Sequence, residues 1–136
     1  MEKPKPKLGD QMVISRSKFG TLFTSLQKAG YSIIGPTVSN EAIVYQELSS
    51  CEELPQGWTD RREPGTYRLE KRDDQALFGF NVGPHSPKKY LFPPEHVFWT
   101  AQRKESGYEV YEDKSELPRY AFVGLRACEV NAVLLQ

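Results

Sequence analysis

The chain has 136 residues, which is enough for one domain that buries a core without disulfides or bound metal. Its 18 basic and 18 acidic residues give a formal net charge of zero, so it lacks the basic surface typical of nucleic-acid-binding proteins. No apolar run approaches the roughly 20 residues that cross a bilayer, and the lysine- and proline-rich N-terminus has no signal-peptide segment. We therefore expect a cytoplasmic protein with no nucleic-acid partner and no membrane span.

The first third of the chain predicts a flexible arm, a helix and two strands. Residues 1–12 are expected to be the arm, because alternating lysine and proline bury little surface. Ser15 or Ser17 is expected to cap a helix over residues 17–28 that ends at Gly30. Its predicted apolar face has helical spacing and consists of Phe19, Leu22, Phe23 and Leu26. Strands are predicted over 31–36 and 41–48, with a turn at Ser39-Asn40.

The middle of the chain is more polar. Residues 49–65 predict a long loop, in which Trp58 either anchors the loop to the core or contacts a neighbouring protein chain. Residues 66–82 predict a β-hairpin that turns at Asp73-Asp74. Pro94-Glu95 is expected to open a short helix through Trp99. Residues 107–112 predict a polar edge strand.

The last seventeen residues contain the best candidate site. Residues 120–123 suit a buried strand, Gly124 suits a turn, and a helix is predicted to begin near Cys128 with an apolar side of Ala127, Val130, Val133 and Leu134. The free N–H groups of a helix start and the neighbouring Arg126 would both favour a thiolate, which is the form that binds metal. Cys128 is therefore a candidate metal ligand, and Cys128 with Arg126 a candidate cofactor-binding pair. The alternatives are a buried Cys128 that fills space in the core and an Arg126 that is an ordinary surface residue.

Other candidates give weaker patterns. Two cysteines without a CxxC motif predict free thiols, although a Cys51–Cys128 disulfide is formally possible. His85 and His96 are eleven residues apart, which fits no compact zinc pattern, and no spacing places either beside Cys128 as a catalytic base. The segment Gly83-Pro84-His85-Ser86, with Lys88-Lys89, is either an anion-binding turn or an ordinary turn followed by solvated lysines.

Five segments occur in an order that resembles one protein family. They are Leu54-Pro55-Gln56-Gly57-Trp58-Thr59-Asp60, Pro64-Gly65-Thr66-Tyr67-Arg68-Leu69, Phe78-Gly79 with Gly83-Pro84-His85-Ser86-Pro87-Lys88, Leu91-Phe92-Pro93-Pro94, and Phe122-Val123-Gly124-Leu125-Arg126-Ala127-Cys128-Glu129. This set resembles the N-terminal part of the iron–sulfur subunits found in NiFe sulfhydrogenases, where it is the beta subunit, and in anaerobic sulfite reductases.

The resemblance implies an electron-transfer role. Such subunits are similar to ferredoxins in their C-terminal half, where cysteine-rich segments hold four-iron four-sulfur (4Fe-4S) clusters. They relay electrons from a flavin-bearing, NAD(P)-linked redox partner to a catalytic hydrogenase or reductase subunit, or in the reverse direction. The resemblance implies that Cys128 joins later cysteines as a cluster ligand. Glu129 keeps the charge of the aspartate usual there, whereas Pro87 replaces a frequent tryptophan.

We therefore expect a single α+β domain over residues 13–136, with a mostly antiparallel sheet on which an N-terminal and a C-terminal helix pack. It is expected to be the N-terminal domain of a longer iron–sulfur electron-transfer subunit in a hydrogenase or sulfite-reductase-like oxidoreductase complex. The 4Fe-4S cluster would belong to the full-length protein and not to this fragment alone. The alternative is a docking or assembly module with no redox role and a structural Cys128. No acid–base or nucleophile set indicates a stand-alone enzyme.

Overall fold

A computed structural model describes residue 7 and residues 9–81, 85–113 and 117–135. The α+β class is confirmed, because these residues form both helices and strands and every strand pair but one is antiparallel. The elements are α1 (Phe19–Lys28), β1 (Ser32–Ser39), β2 (Ala42–Glu47), β3 (Trp58–Glu63), β4 (Thr66–Lys71), α2 (Lys88–Leu91), β5 (Trp99–Lys104), β6 (Gly107–Glu112), β7 (Tyr120–Phe122) and α3 (Ala127–Leu134).

The central sheet has three strands in the order β2-β1-β7. β1 and β2 form an antiparallel hairpin, and Asn40 and Glu41 close it with positive φ angles of 48° and 58°. Two adjacent left-handed residues give a turn whose twist matches that of the flanking strands. β1 therefore lies between β2 and the parallel strand β7, and its Ile33 and Ile34 are fully buried.

Helix α1 covers this sheet with the face that its spacing predicts. Phe23 joins Ile33, Leu48 and Leu54 in the buried core, and Phe19 and Leu26 pack against that cluster. The helix stops where predicted, since Gly30 follows it with a φ of +80°. The predicted serine cap is wrong, because a single 3-10 turn over Arg16–Lys18 precedes the helix and neither serine side chain caps it.

The second hairpin is shifted along the chain from its predicted position. β3 lies inside the predicted loop 49–65 and pairs with β4 around Pro64-Gly65, whereas residues 76–81 form no strand. The prediction was wrong because Gly65 adopts the left-handed φ of +75° that a tight turn needs. The predicted turn residue Asp74 instead binds Arg72 through its side chain, at 2.5 and 2.7 Å.

The third hairpin replaces the predicted helix over 94–99. Residues 95–98 are irregular, and β5 begins at Trp99 and pairs with β6, which was the predicted polar edge strand. The pattern of residues 99–104 alternates between apolar and polar side chains only weakly, so their strand was missed. A short helix, α2, forms instead over Lys88–Leu91.

The two ends of the chain are more exposed than expected. β7 is an edge strand with half-buried residues, not the buried strand predicted for 120–123. On α3, Ala127, Val130 and Leu134 are exposed and Val133 is half-buried. Of the predicted arm, residues 1–6 and 8 lie outside the described residues, whereas residues 9–12 are exposed. Among the described residues, no helix has the length and apolar character needed to cross a bilayer.

Candidate functional site

The bend between β7 and α3 places the predicted site beside the central sheet. The N–H of Val123 donates to the carbonyl of Ile34 at 2.8 Å and extends the pairing of β7 with β1 by one residue. Gly124 then turns the chain with a φ of +76°. A Cβ at this position would lie 2.7 Å from the ring of Phe78 and 3.2 Å from Pro36, so the site needs glycine for its conformation and for its space.

Glu129 connects the start of α3 to β2. Its Oε2 accepts hydrogen bonds from the backbone N–H of Arg126 at 3.0 Å and from the hydroxyl of Tyr45 at 2.8 Å. A carboxylate three residues into a helix that binds the cap residue's N–H satisfies one of the unpaired donors of the helix start. The Tyr45 hydroxyl also lies 3.3 Å from the carbonyl oxygen of Gly124. These contacts hold the helix start against the sheet.

The surroundings of Tyr45 and Glu129 are largely closed to water. Tyr45 is 5% exposed, and burial followed by the hydrogen bond to Glu129 raises its pKa well above the ordinary tyrosine value. The second carboxylate oxygen of Glu129, Oε1, is buried and has no hydrogen-bond partner among the described residues. Sequence reasoning identified only the charge of Glu129 and missed its contact with Tyr45, which is 84 positions away.

Cys128 lies at the second residue of α3 and is exposed to solvent. The structure therefore places its thiol at a helix start, as predicted, and not among hydrocarbon side chains of the core. Arg126, the residue before the helix, is half-buried, and its guanidinium carbon lies 6.0 Å from the ring centre of Phe80. The arginine is thus packed along an aromatic ring close to the thiol in sequence. Whether either residue contacts a cofactor stays a prediction.

Cys51 lies in a different environment and is also a free thiol. It begins a 3-10 turn over Cys51–Glu53 and packs against the core cluster. Its Sγ faces α1, where a Cβ added at Gly20 would approach it to 3.3 Å. The space-filling role considered for Cys128 therefore describes Cys51 better. The described residues contain no group of three or more His, Cys, Asp or Glu side chains arranged to hold a metal ion.

The remaining candidates from the sequence are dispersed. His85 is exposed, and His96 is exposed with its ring edge-to-face on Phe98 at 4.9 Å. Of the predicted anion-binding turn, Gly83 and Pro84 lie outside the described residues. Its other part starts α2, where the hydroxyl of Ser86 accepts from the N–H of Lys88 at 3.3 Å. A four-residue helix offers too few aligned peptides for an anion site.

Sequence reasoning also missed a groove beside β7. It has a volume of about 690 Å³, and its aromatic lining consists of Tyr90, Phe92, His96 and Tyr120. Tyr90 is fixed by a hydrogen bond from its hydroxyl to the Tyr45 carbonyl at 3.1 Å and by edge-to-face contact with Tyr120 at 5.6 Å. The signal in the sequence is the density of aromatic residues between 90 and 98, which by spacing alone indicates only a turn and a helix.

Compared with known proteins, the chain matches no protein-family model, no curated sequence and no solved structure. The iron–sulfur resemblance therefore depends on the residues quoted for it.

Proposed function

We propose that this chain is the N-terminal domain of an iron–sulfur electron-transfer subunit in a hydrogenase or sulfite-reductase-like complex. The observation that supports the proposal best is the exposed thiol of Cys128 at the second residue of α3. A thiol in that position is accessible to iron and close to helix N–H groups that favour its anionic form. In this proposal the protein works in the cytoplasm and receives electrons from a flavin- and NAD(P)-binding partner.

The chain by itself does not fit a complete cluster. A 4Fe-4S cluster needs four thiolate ligands, and of the two cysteines present, Cys51 packs against the core. This domain would contribute one ligand, and cysteines in further polypeptide would supply the others. The reading frame after Gln136 should then encode several closely spaced cysteines.

The test is cluster content in the full-length protein, reconstituted with iron and sulfide without oxygen. We expect Cys128→Ser to lower bound iron and visible absorption relative to the wild type, because serine is a poor ligand for iron–sulfur clusters. Cys51→Ser is the matched control, since it makes the same chemical change at the thiol that packs against α1, and it should leave the iron content unchanged. Equal iron content in the wild type and Cys128→Ser would rule out Cys128 as a ligand.

The second candidate is a docking or assembly module with no redox role. The observation that favours it is the β5–β6 hairpin, in which every residue of both strands is exposed. Full-length protein that binds no iron, together with a stable complex formed through this hairpin, would favour the module over the electron-transfer role.

A further inference from the structure

The β5–β6 hairpin has two different faces. Directly paired residues of an antiparallel hairpin lie on the same face, and alternate residues lie on opposite faces. The register therefore places six side chains together on what we call the apolar face: Trp99, Ala101, Arg103, Tyr108, Val110 and Glu112. The opposite face consists of Thr100, Gln102, Lys104, Gly107, Glu109 and Tyr111 and is mostly polar.

The charges of the polar face have partners within the hairpin. Lys104 forms an ion pair with Glu109 at 3.6 Å, and a hydrogen bond with Glu109 raises the pKa of Tyr111. On the apolar face, Arg103 and Glu112 form no hydrogen bond or ion pair with any described residue. They are separated by four residues along the strands, about 13 Å, and this is too far for a mutual contact.

The apolar groups of this face are open to solvent. Trp99 is 62% exposed, Tyr108 72% and Val110 63%. Tryptophan and tyrosine are enriched in the buried centres of protein interfaces, and an isolated two-stranded hairpin has little stability of its own in water. A surface that covers this face would therefore both bury apolar area and stabilise the hairpin.

The charge distribution indicates what that surface is. Arg103 and Tyr108 lie near the tip of the hairpin, whereas Glu112 and Trp99 lie at its base. We propose that two copies of the chain associate through their apolar faces, with the tip of each hairpin on the base of the other. This two-fold arrangement brings Arg103 to the partner's Trp99 and the partner's Glu112, and Val110 to the partner's Val110.

Such an arrangement satisfies what the single chain leaves unpaired. The guanidinium group gains a carboxylate and an aromatic ring, and each contact occurs twice because the interface is isologous. Six side chains form a smaller surface than the roughly 800 Å² per partner of a standard interface, so we expect a dissociation constant in the micromolar range or above. The proposal is independent of the iron–sulfur assignment, because it involves neither Cys128 nor α3.

The test is sedimentation of the 136-residue chain from low micromolar to near-millimolar concentration. The wild type should change from monomer to dimer over this range. Val110→Lys should raise the dissociation constant by at least about tenfold, because it buries two ammonium groups against each other. Gln102→Lys adds the same charge to the polar face of the same hairpin and should leave the constant unchanged.

Charge reversal tests the head-to-tail arrangement itself. Arg103→Glu and Glu112→Arg should each weaken the dimer about tenfold or more, since like charges then face each other twice. The double variant R103E/E112R should restore association, because the complementary pairs are re-formed. All variants are exposed positions, so circular dichroism should match the wild type. A chain that stays monomeric, equal effects of Val110→Lys and Gln102→Lys, or no rescue in the double variant would overturn the proposal.

Discussion

The β1–β2 hairpin and the β5–β6 hairpin are locally alike but differ in what covers them. Both are antiparallel pairs of six aligned residues with apolar and aromatic side chains. β1 and β2 bury Ile34, Val44 and Tyr45 because a helix and a third strand pack beside them. Every residue of β5 and β6 is exposed. Local pairing is thus similar in the two regions, and the stability contributed by their side chains should differ strongly.

The bend at Gly124 should show the largest difference between the central sheet and an outer turn. Gly124→Ala should lower the free energy of unfolding by about 3 kcal/mol, because it adds left-handed strain and a steric overlap with Phe78. Gly65 has nearly the same φ, +75°, and no atom within 4 Å of an added Cβ. Gly65→Ala should therefore cost only the strain, about 1 kcal/mol. Equal losses in urea unfolding would mean that Phe78 moves away at little cost.

Two valines compare the hairpins directly. Val44 is 7% exposed and Val110 is 63% exposed. Val44→Ala should reduce the free energy of unfolding by about 2 kcal/mol, since it removes buried methyl groups and leaves a cavity. Val110→Ala, measured at low protein concentration where the chain is monomeric, should change it by less than about 0.5 kcal/mol. A loss at Val110 as large as that at Val44 would show that the hairpin packs on the rest of the chain.

Two tyrosines should give the smallest difference at neutral pH. Tyr45→Phe removes the hydrogen bond to Glu129 and should cost about 1–2 kcal/mol. Tyr108→Phe changes an exposed hydroxyl and should cost close to nothing.

The pH dependence makes the tyrosine comparison more specific. Burial and Glu129 raise the pKa of Tyr45 in the folded state, so the folded protein holds that proton more tightly than the unfolded chain does. The resulting stability is complete below pH ~10, the ordinary tyrosine value, and is lost as the pH rises toward the folded pKa. Between about pH 9 and about pH 11 the unfolding free energy of the wild type should therefore fall more steeply than that of Tyr45→Phe. Parallel curves would contradict the pKa shift.

The sequence predicted elements well where a local pattern was strong. The helical spacing of Phe19 through Leu26 and the glycine after it located α1 almost to the residue. The polar strand β3 was missed, because its residues do not alternate between apolar and polar types and its turn glycine was assigned to a loop. The position of Cys128 at a helix start was also readable from Gly124 and the residues that follow.

The contacts of the candidate site were not predictable in this way. Tyr45 and Glu129 meet only because β7 pairs with β1 on one side while β2 pairs on the other. No local pattern gives that order of strands. The same holds for the hairpins, whose sequences do not reveal which one will be covered.

The sequence by itself determined the α+β class, the helix α1, the hairpin β1–β2 and the thiol at the start of the last helix, because spacing and turn residues act over a few positions. Only the tertiary structure decided that β7 lies at an edge, that Cys51 packs against the core while Cys128 is exposed, and that one face of β5–β6 has no cover among the described residues. Burial is set by which distant segments meet, and this depends on the whole chain rather than on neighbouring residues.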